Sequence, residues 1–401
     1  MNRWLYIYRW IMWNLLTHPF IHIYLKPSFR FFKTKESDSF PKPPFIVVCN
    51  HGTFFDPWII GLYSHYPFGF MTNDDGFRGK GISQWYLKSI GAYPKKKGAS
   101  DFKAMKKTMD LMRSNYPVCI FPEGQTTWDG ETQLMYPGIE KIIRKTGVSV
   151  VTIRIQGNFL SKPWWALTKR KGRVAVTIKV TDKADVAKLS TEEIFALLKN
   201  GIYQNDIKDP WNKTQKFSGT QLACGLERFV WICTECGAED QLTTNDNRIT
   251  CSACGKIWEI DAYCQLTSET PYRPEIKDLK DWSEMHKSIL RDKCTGGKPF
   301  TTATNAVALT CENEQGKFET IHGNGVLELN QNELRYITSG QRVSWSLKEI
   351  TDYVVQKKDL FEFGISGKTY RVEFRGHSPM KWVMYLRYLN NYAECEKNGH
   401  L

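Results

Sequence analysis

The N-terminus lacks an apolar run long enough to cross a membrane. A spanning helix needs roughly 20 consecutive apolar residues. Here the stretch from Trp4 to Leu16 is broken by Arg9 and Asn14, and it ends near His18-Pro19. No small-residue cleavage site follows it, which argues against a signal peptide. Acidic residues are missing from positions 1–35, which hold six Lys and Arg. Basic residues are scarce in 233–254: Arg248 stands alone against Glu235, Glu239, Asp240 and Asp246. That balance excludes a basic nucleic-acid-binding module there. There is no internal repeat or low-complexity tract, so a solenoid is excluded.

What is present divides in two. A chain of 401 residues is long enough for two or three domains, and its 41% hydrophobic content supports real cores. The net charge of +13 is uneven: residues 1–218 balance at +16 and the remainder at −3. A basic first half suits an anionic membrane or a phosphorylated ligand. Trp4, Tyr6, Tyr8, Trp10 and Trp13 are residue types of the membrane–water interface. Residues 1–35 therefore read as helices lying in a cytoplasmic membrane leaflet, with packing on the protein's own core as the alternative.

From 44 to about 205, apolar runs and helical patterns alternate, which predicts helices packed on a mixed, largely parallel sheet. Within it, Phe45-Ile46-Val47-Val48-Cys49 reads as a buried strand. It leads into Asn50-His51-Gly52-Thr53-Phe54-Phe55-Asp56-Pro57, where Asp56 reads as a helix N-cap and Pro57 as the first helical residue. A histidine on a strand-to-helix loop with a carboxylate nearby is the arrangement of a general base. Taken alone, the pair is also what a loop histidine beside an ordinary cap looks like. A second strand, Val118–Phe121, ends in Pro122-Glu123-Gly124.

His-x4-Asp followed by Phe-Pro-Glu-Gly after a second strand resembles the glycerolipid acyltransferase family, the 1-acylglycerol-3-phosphate and lysophospholipid acyltransferases. The resemblance runs from about Pro44 to about Asn205. It implies N-terminal membrane-embedded helices, His51 as the base for an acceptor hydroxyl, and Asp56 orienting its ring. Asn50 precedes the histidine, as is usual in the family, and is expected with it at the substrate. Lys97, in Gly91-Ala92-Tyr93-Pro94-Lys95-Lys96-Lys97, falls at the family's phosphate-binding arginine, and Glu123 and Gly124 fall at its acceptor-binding positions. Thr126 replaces a second arginine and Thr152 a strand proline. The absence of both arginines leaves a different lysolipid or a non-phosphate acceptor, such as a glycolipid, open. The resemblance also implies acyl-CoA or acyl-acyl carrier protein as co-substrate.

Cys233-x2-Cys236 and Cys251-x2-Cys254, 14 residues apart, are spaced as the thiolates of a structural zinc ribbon. The other cysteines are scattered singly, and Cys49 and Cys119 sit in apolar strands, which reads as a reducing compartment. Alternating strands beyond 318 and a helix from Pro379 resemble, by element order, a pleckstrin-homology or GRAM-type domain. The expected division is membrane-interface helices 1–35, an α/β acyltransferase domain 36–218, a zinc ribbon 222–266, a helical connector 267–305 and a β-rich pleckstrin-homology-like domain 306–401. Membrane lipids, a thioester carrier and an unidentified protein partner are the expected partners, with no nucleic acid. The expected location is the cytoplasmic face of the cell membrane. A membrane-bound binding platform without catalysis is the rival reading.

Overall fold

The computed structural model describes residues 3–77, 81–95, 102–268 and 275–398. The chain forms two compact units. One comprises the residues up to Trp164 together with Lys169–Ser218; the other comprises Trp165–Thr168 and Gly219–Asn398.

The first unit is built on seven strands: β1 Phe31–Lys33, β2 Phe45–Cys49, β3 Gly69–Asn73, β4 Tyr93–Lys95, β5 Val118–Ile120, β6 Ser149–Gln156 and β7 Val174–Thr181. Their order is β1-β7-β6-β2-β5-β3-β4. Only the β6–β7 pair is antiparallel, so the sheet is mixed as expected. β2 is central, and its residues alternate between two cores with the strand period of two. Phe45, Val47 and Cys49 face a cluster with Trp13, Ile21, Leu25, Phe29, Ile59 and Ile60. Ile46 and Val48 face Ala104, Leu111, Ile142, Ile194 and Leu198 on the other side. β2 and β5 run parallel in register, Val48 beside Ile120. The loops that follow them therefore emerge side by side at the carboxyl edge of the sheet, where ligands of α/β folds gather.

Residues 3–29 stay helical throughout, with two π-helical turns at Met12–Thr17 and Ile21–Leu25. One face is spent on the protein: Trp13, Ile21, Leu25 and Phe29 are buried in the β2 core. Each such side chain stabilises the docking by about 2 kcal/mol. The opposite face is exposed and apolar, with Trp4 76%, Leu15 65%, Ile23 65% and Tyr24 64% accessible. No helix among the described residues is long and apolar enough to cross a membrane. The reading of 1–35 as helices alone needs correction. Phe31–Lys33 leaves the helix through Arg30 in the left-handed region and adds β1 beside β7, because Phe31 is buried against the core.

The second unit starts with a four-stranded antiparallel sheet: β8 Leu242–Asn245, β9 Arg248–Cys251, β10 Ile257–Ile260 and β11 Leu266–Thr267. A helix, Leu279–Thr295, follows. Then comes a seven-stranded antiparallel sheet: β12 Thr301–Glu312, β13 Phe318–Asn330, β14 Glu333–Ile337, β15 Arg342–Ser346, β16 Thr351–Gln356, β17 Leu360–Ile365 and β18 Lys368–Glu373. It is ordered β15-β14-β13-β12-β18-β17-β16, and the helix Pro379–Leu389 packs against it. β12 and the first half of β13 were not evident in the sequence, since this pair is irregular, with register shifts from Thr304 to Thr310 and mixed Thr, Asn, Gly and charged residues.

Candidate active site

His51 and Asp56 meet as the loop pattern predicts, but Asp56 is not an N-cap. It is the first residue of the helix Asp56–Gly61, and Phe55 precedes it in the cap position. Its carboxylate turns back over the loop and is fully buried. Oδ2 accepts the His51 Nδ1 proton at 2.9 Å and the backbone N–H groups of Gly52 and Thr53 at 2.8 and 3.0 Å. Oδ1 accepts the side-chain amide of Asn158 at 2.9 Å. A carboxylate oxygen only accepts, so the imidazole donates through Nδ1. Nε2 is left as the nitrogen that takes a proton. The ring stacks on Phe121, centroids 4.3 Å apart, and its side chain keeps 19% exposure.

The residues expected to bind acceptor are otherwise engaged. Asn50 is buried, and its amide both donates to the Ile155 carbonyl (2.9 Å) and accepts from the Ile155 N–H (2.8 Å). It clamps the end of β2 to β6. Glu123 is also buried, with Oε1 accepting the His51 N–H and Oε2 the Gln133 N–H, both at 2.6 Å. Burial pushes its carboxyl well above the ordinary range, against the pull of those two N–H groups. Glu123 thus straps the Phe-Pro-Glu-Gly turn to the His51 loop. Gly124 has φ +72°, and a Cβ there would lie 2.7 Å from the Tyr136 ring, so only glycine fits beneath that ring. Lys97 lies outside the described residues. Lys95 is described, with Nζ 5.0 Å over the Tyr136 ring. Thr126 and Thr152 are both buried.

A small cleft, partly open to solvent, lies beside the dyad, and His51, Gly52, Glu123, Thr127, Asn158 and Asp206 are among its lining. The sequence reading missed Asn158 and Asp206. The available signal was Gly157-Asn158 immediately after β6, in the position that Asn50-His51 occupies after β2. Asp206 is buried and accepts the N–H groups of Gly157 (2.8 Å) and Phe159 (3.0 Å). Burial raises its carboxyl to about 7, while these N–H groups and the Asn212 and Gln204 side chains oppose the rise.

In the second unit the four predicted cysteines converge. Cys233 and Cys254 sulfurs are 3.8 Å apart, as are those of Cys236 and Cys251, and all four lie within 4.8 Å of one another. A tetrahedron of thiolates about 2.3 Å from zinc has edges of about 3.8 Å. Each pair sits on a matching turn, with the Gly237 N–H donating to the Cys233 carbonyl (3.0 Å) and the Gly255 N–H to the Cys251 carbonyl (2.9 Å). The polar stretch between the pairs is the β8–β9 hairpin, as expected. The four sulfurs can hold a metal ion. Glu239 and Asp240, just after Cys236, pair with the fully buried Lys381 at 3.1 and 2.5 Å.

Residues 31–156, which carry the His51–Asp56 dyad and the Phe-Pro-Glu-Gly strap, match the family model described as Acyltransferase. The particular relatives are glycerolipid enzymes. Over 117 residues the chain is 31% identical to a chloroplastic 1-acyl-sn-glycerol-3-phosphate acyltransferase of Brassica napus and 30% identical to one of Arabidopsis thaliana. Those stretches cover 28% of this chain and 33% and 32% of the relatives, so the chain spans about a third of the length of the curated relatives it matches. Among solved structures, the 1-acyl-sn-glycerophosphate acyltransferase PlsC from Thermotoga maritima is similar at TM-score 0.37 and 22% identity, over 43% of this chain and 70% of that one. The Vps36 N-terminal PH domain is similar at TM-score 0.20 and 12% identity, over 24% and 82%.

Proposed function

We propose that the protein moves a fatty acyl group from an acyl thioester, acyl-CoA or acyl-acyl carrier protein, to the free hydroxyl of a lysophospholipid such as 1-acylglycerol-3-phosphate. His51 Nε2 takes the proton of the acceptor hydroxyl as its oxygen attacks the thioester carbonyl. The tetrahedral adduct collapses, the C–S bond breaks, and the leaving thiolate takes the proton back from His51. Asp56 holds Nδ1–H throughout and balances the transient imidazolium, the role of the aspartate in a catalytic triad whose serine is here the substrate. The carrying observation is the Asp56 carboxylate, held by four donors so that His51 is fixed in one tautomer.

The acceptor phosphate meets the lysines of the segment 91–97, Lys97 among them. Lysine pairs phosphate as a point charge without the bidentate grip of arginine. Thr126 at the position of the second arginine favours a weaker demand for phosphate, and a glycolipid acceptor is the second reading. The exposed apolar face of residues 3–29 and its basic residues seat the enzyme on the cytoplasmic face of a membrane. Cys233, Cys236, Cys251 and Cys254 hold a structural zinc ion, and the pleckstrin-homology-like sheet is an accessory, protein-contacting module. Thiol release from both thioesters, with a panel of lysolipids and alcohols, tests this reading. Release that depends on acceptor and is lost in His51→Ala supports it.

A further inference from the structure

We propose that Asn158 is a positioning residue of the catalytic dyad: it fixes the Asp56 carboxylate, and through it the His51 ring. This inference rests on the acyltransferase reading for its activity arm only. Asn158 is buried, lies 102 positions beyond Asp56, and falls outside the segment that matches the family model. Its side-chain N–H donates to Asp56 Oδ1 at 2.9 Å, the oxygen opposite the one that holds His51. The amide plane lies flat on Gly52: a Cβ added there would be 2.6 Å from both Nδ2 and Oδ1 of Asn158. Gly52 is not in the left-handed region, so close approach alone demands glycine at this position.

The loop that carries Asn158 is itself held. Asp206 accepts the N–H on either side of it, from Gly157 and Phe159, and the Asn158 Oδ1 accepts the Phe159 N–H at 3.0 Å. Flipping the amide would place its oxygen against the Asp56 carboxylate, so the donor orientation is the one that fits. The titratable groups around the ring are Asp56 on its own loop, Glu123 from the loop after β5, and Asp206 across the cleft.

Removing the Asn158 donor leaves Oδ1 of a buried carboxylate without it. The negative charge then concentrates on the side facing His51. Asn158→Ala is expected to lower kcat roughly 10- to 100-fold with little change in KM, and to move the acid limb of the pH profile upward. Gly52→Ala drives the amide off its seat and is expected to produce the same change. Because both act on one contact, the double variant Gly52→Ala/Asn158→Ala should lose no more than the worse single variant. Thermal melts confirm that each variant is folded.

The His51 ring titration, followed by NMR on the same full-length proteins, needs no turnover. An upward shift in Asn158→Ala and in Gly52→Ala supports the inference. An unmoved titration, or losses that multiply in the double variant, overturns it. Wild-type protein that shows the NMR coupling but no acceptor-dependent thiol release overturns the acyltransferase reading and leaves this inference standing.

Discussion

The Glu123 carboxylate sits 2.6 Å from the backbone nitrogen of His51, 72 residues earlier in the chain. Its other oxygen sits 2.6 Å from the Gln133 nitrogen. The two motifs are thus tied by an acid that spends both oxygens on backbone N–H groups. Glu123→Gln keeps the shape but presents an NH2 to one of those donors. It is expected to cost about 1–3 kcal/mol of stability and to lower kcat, leaving the acceptor KM nearly unchanged. Steady-state kinetics with a parallel thermal melt checks this. A selective rise in acceptor KM would instead assign Glu123 to substrate.

Acid sensitivity of the second unit follows from Glu239. Burial alone would raise its carboxyl, but Lys381, Lys293, Thr302 and Tyr385 outweigh that and hold it at about 2. A folded value below the ordinary 4.5 means stabilisation that is present above about pH 4.5 and lost as pH falls toward 2. The size is on the order of 3 kcal/mol. Glu239→Gln is expected to melt lower at neutral pH and to show a flatter acid limb, seen in melts of the full chain between pH 3 and 7.

Asp206 has the opposite sign. Its folded value of about 7 exceeds the ordinary 3.8. Its contribution is therefore fully present below about pH 4 and lost as pH rises through 7. Stability of the first unit should decline over that window in the wild type and decline less in Asp206→Asn. Native-state proteolysis of the first unit across pH reads this directly.

Metal removal should act on folding rather than on the His51 chemistry. The four cysteines join the turns at either end of the β8–β9 hairpin, and apparent binding energies for such thiolate sites run to about 10–16 kcal/mol. Chelation or Cys236→Ser is expected to unfold the β8–β11 sheet, visible as lost protection of its amides in hydrogen exchange. The protein should carry one zinc per chain by elemental analysis.

The exposed N-terminal face gives a further handle. Leu15→Asp with Ile23→Asp leaves the buried Trp13, Ile21 and Leu25 untouched. Binding to vesicles containing anionic lipid should weaken at least about tenfold, with the fold intact by circular dichroism.

The dyad was legible because it is local: a buried strand, a histidine and Asp-Pro fall within a dozen residues, and strand burial fixes where the loop emerges. The cysteine cluster was legible for the same reason, since its spacing carries the geometry. Asn158 was not, because its contact exists only once β2 and β6 pair, Cys49 beside Ile153. Asn50 and Glu123 were expected at the substrate because the family resemblance puts them in its motifs. The structure shows each engaged by backbone, Ile155 in one case, His51 and Gln133 in the other. Asp56 looked like a cap because Pro57 follows it, yet its carboxylate is drawn to the Gly52 and Thr53 N–H groups. β1 escaped notice because three residues carry too little pattern to separate a strand from the helix before it.

The most direct test is acceptor-dependent thiol release by purified, zinc-loaded protein, run beside His51→Ala. The account predicts release from an acyl thioester only when a lysolipid is present, falling roughly 10²–10⁴-fold in the variant while melting and vesicle binding stay unchanged. Equal release by the two proteins, or none from any pair of donor and acceptor, would contradict it.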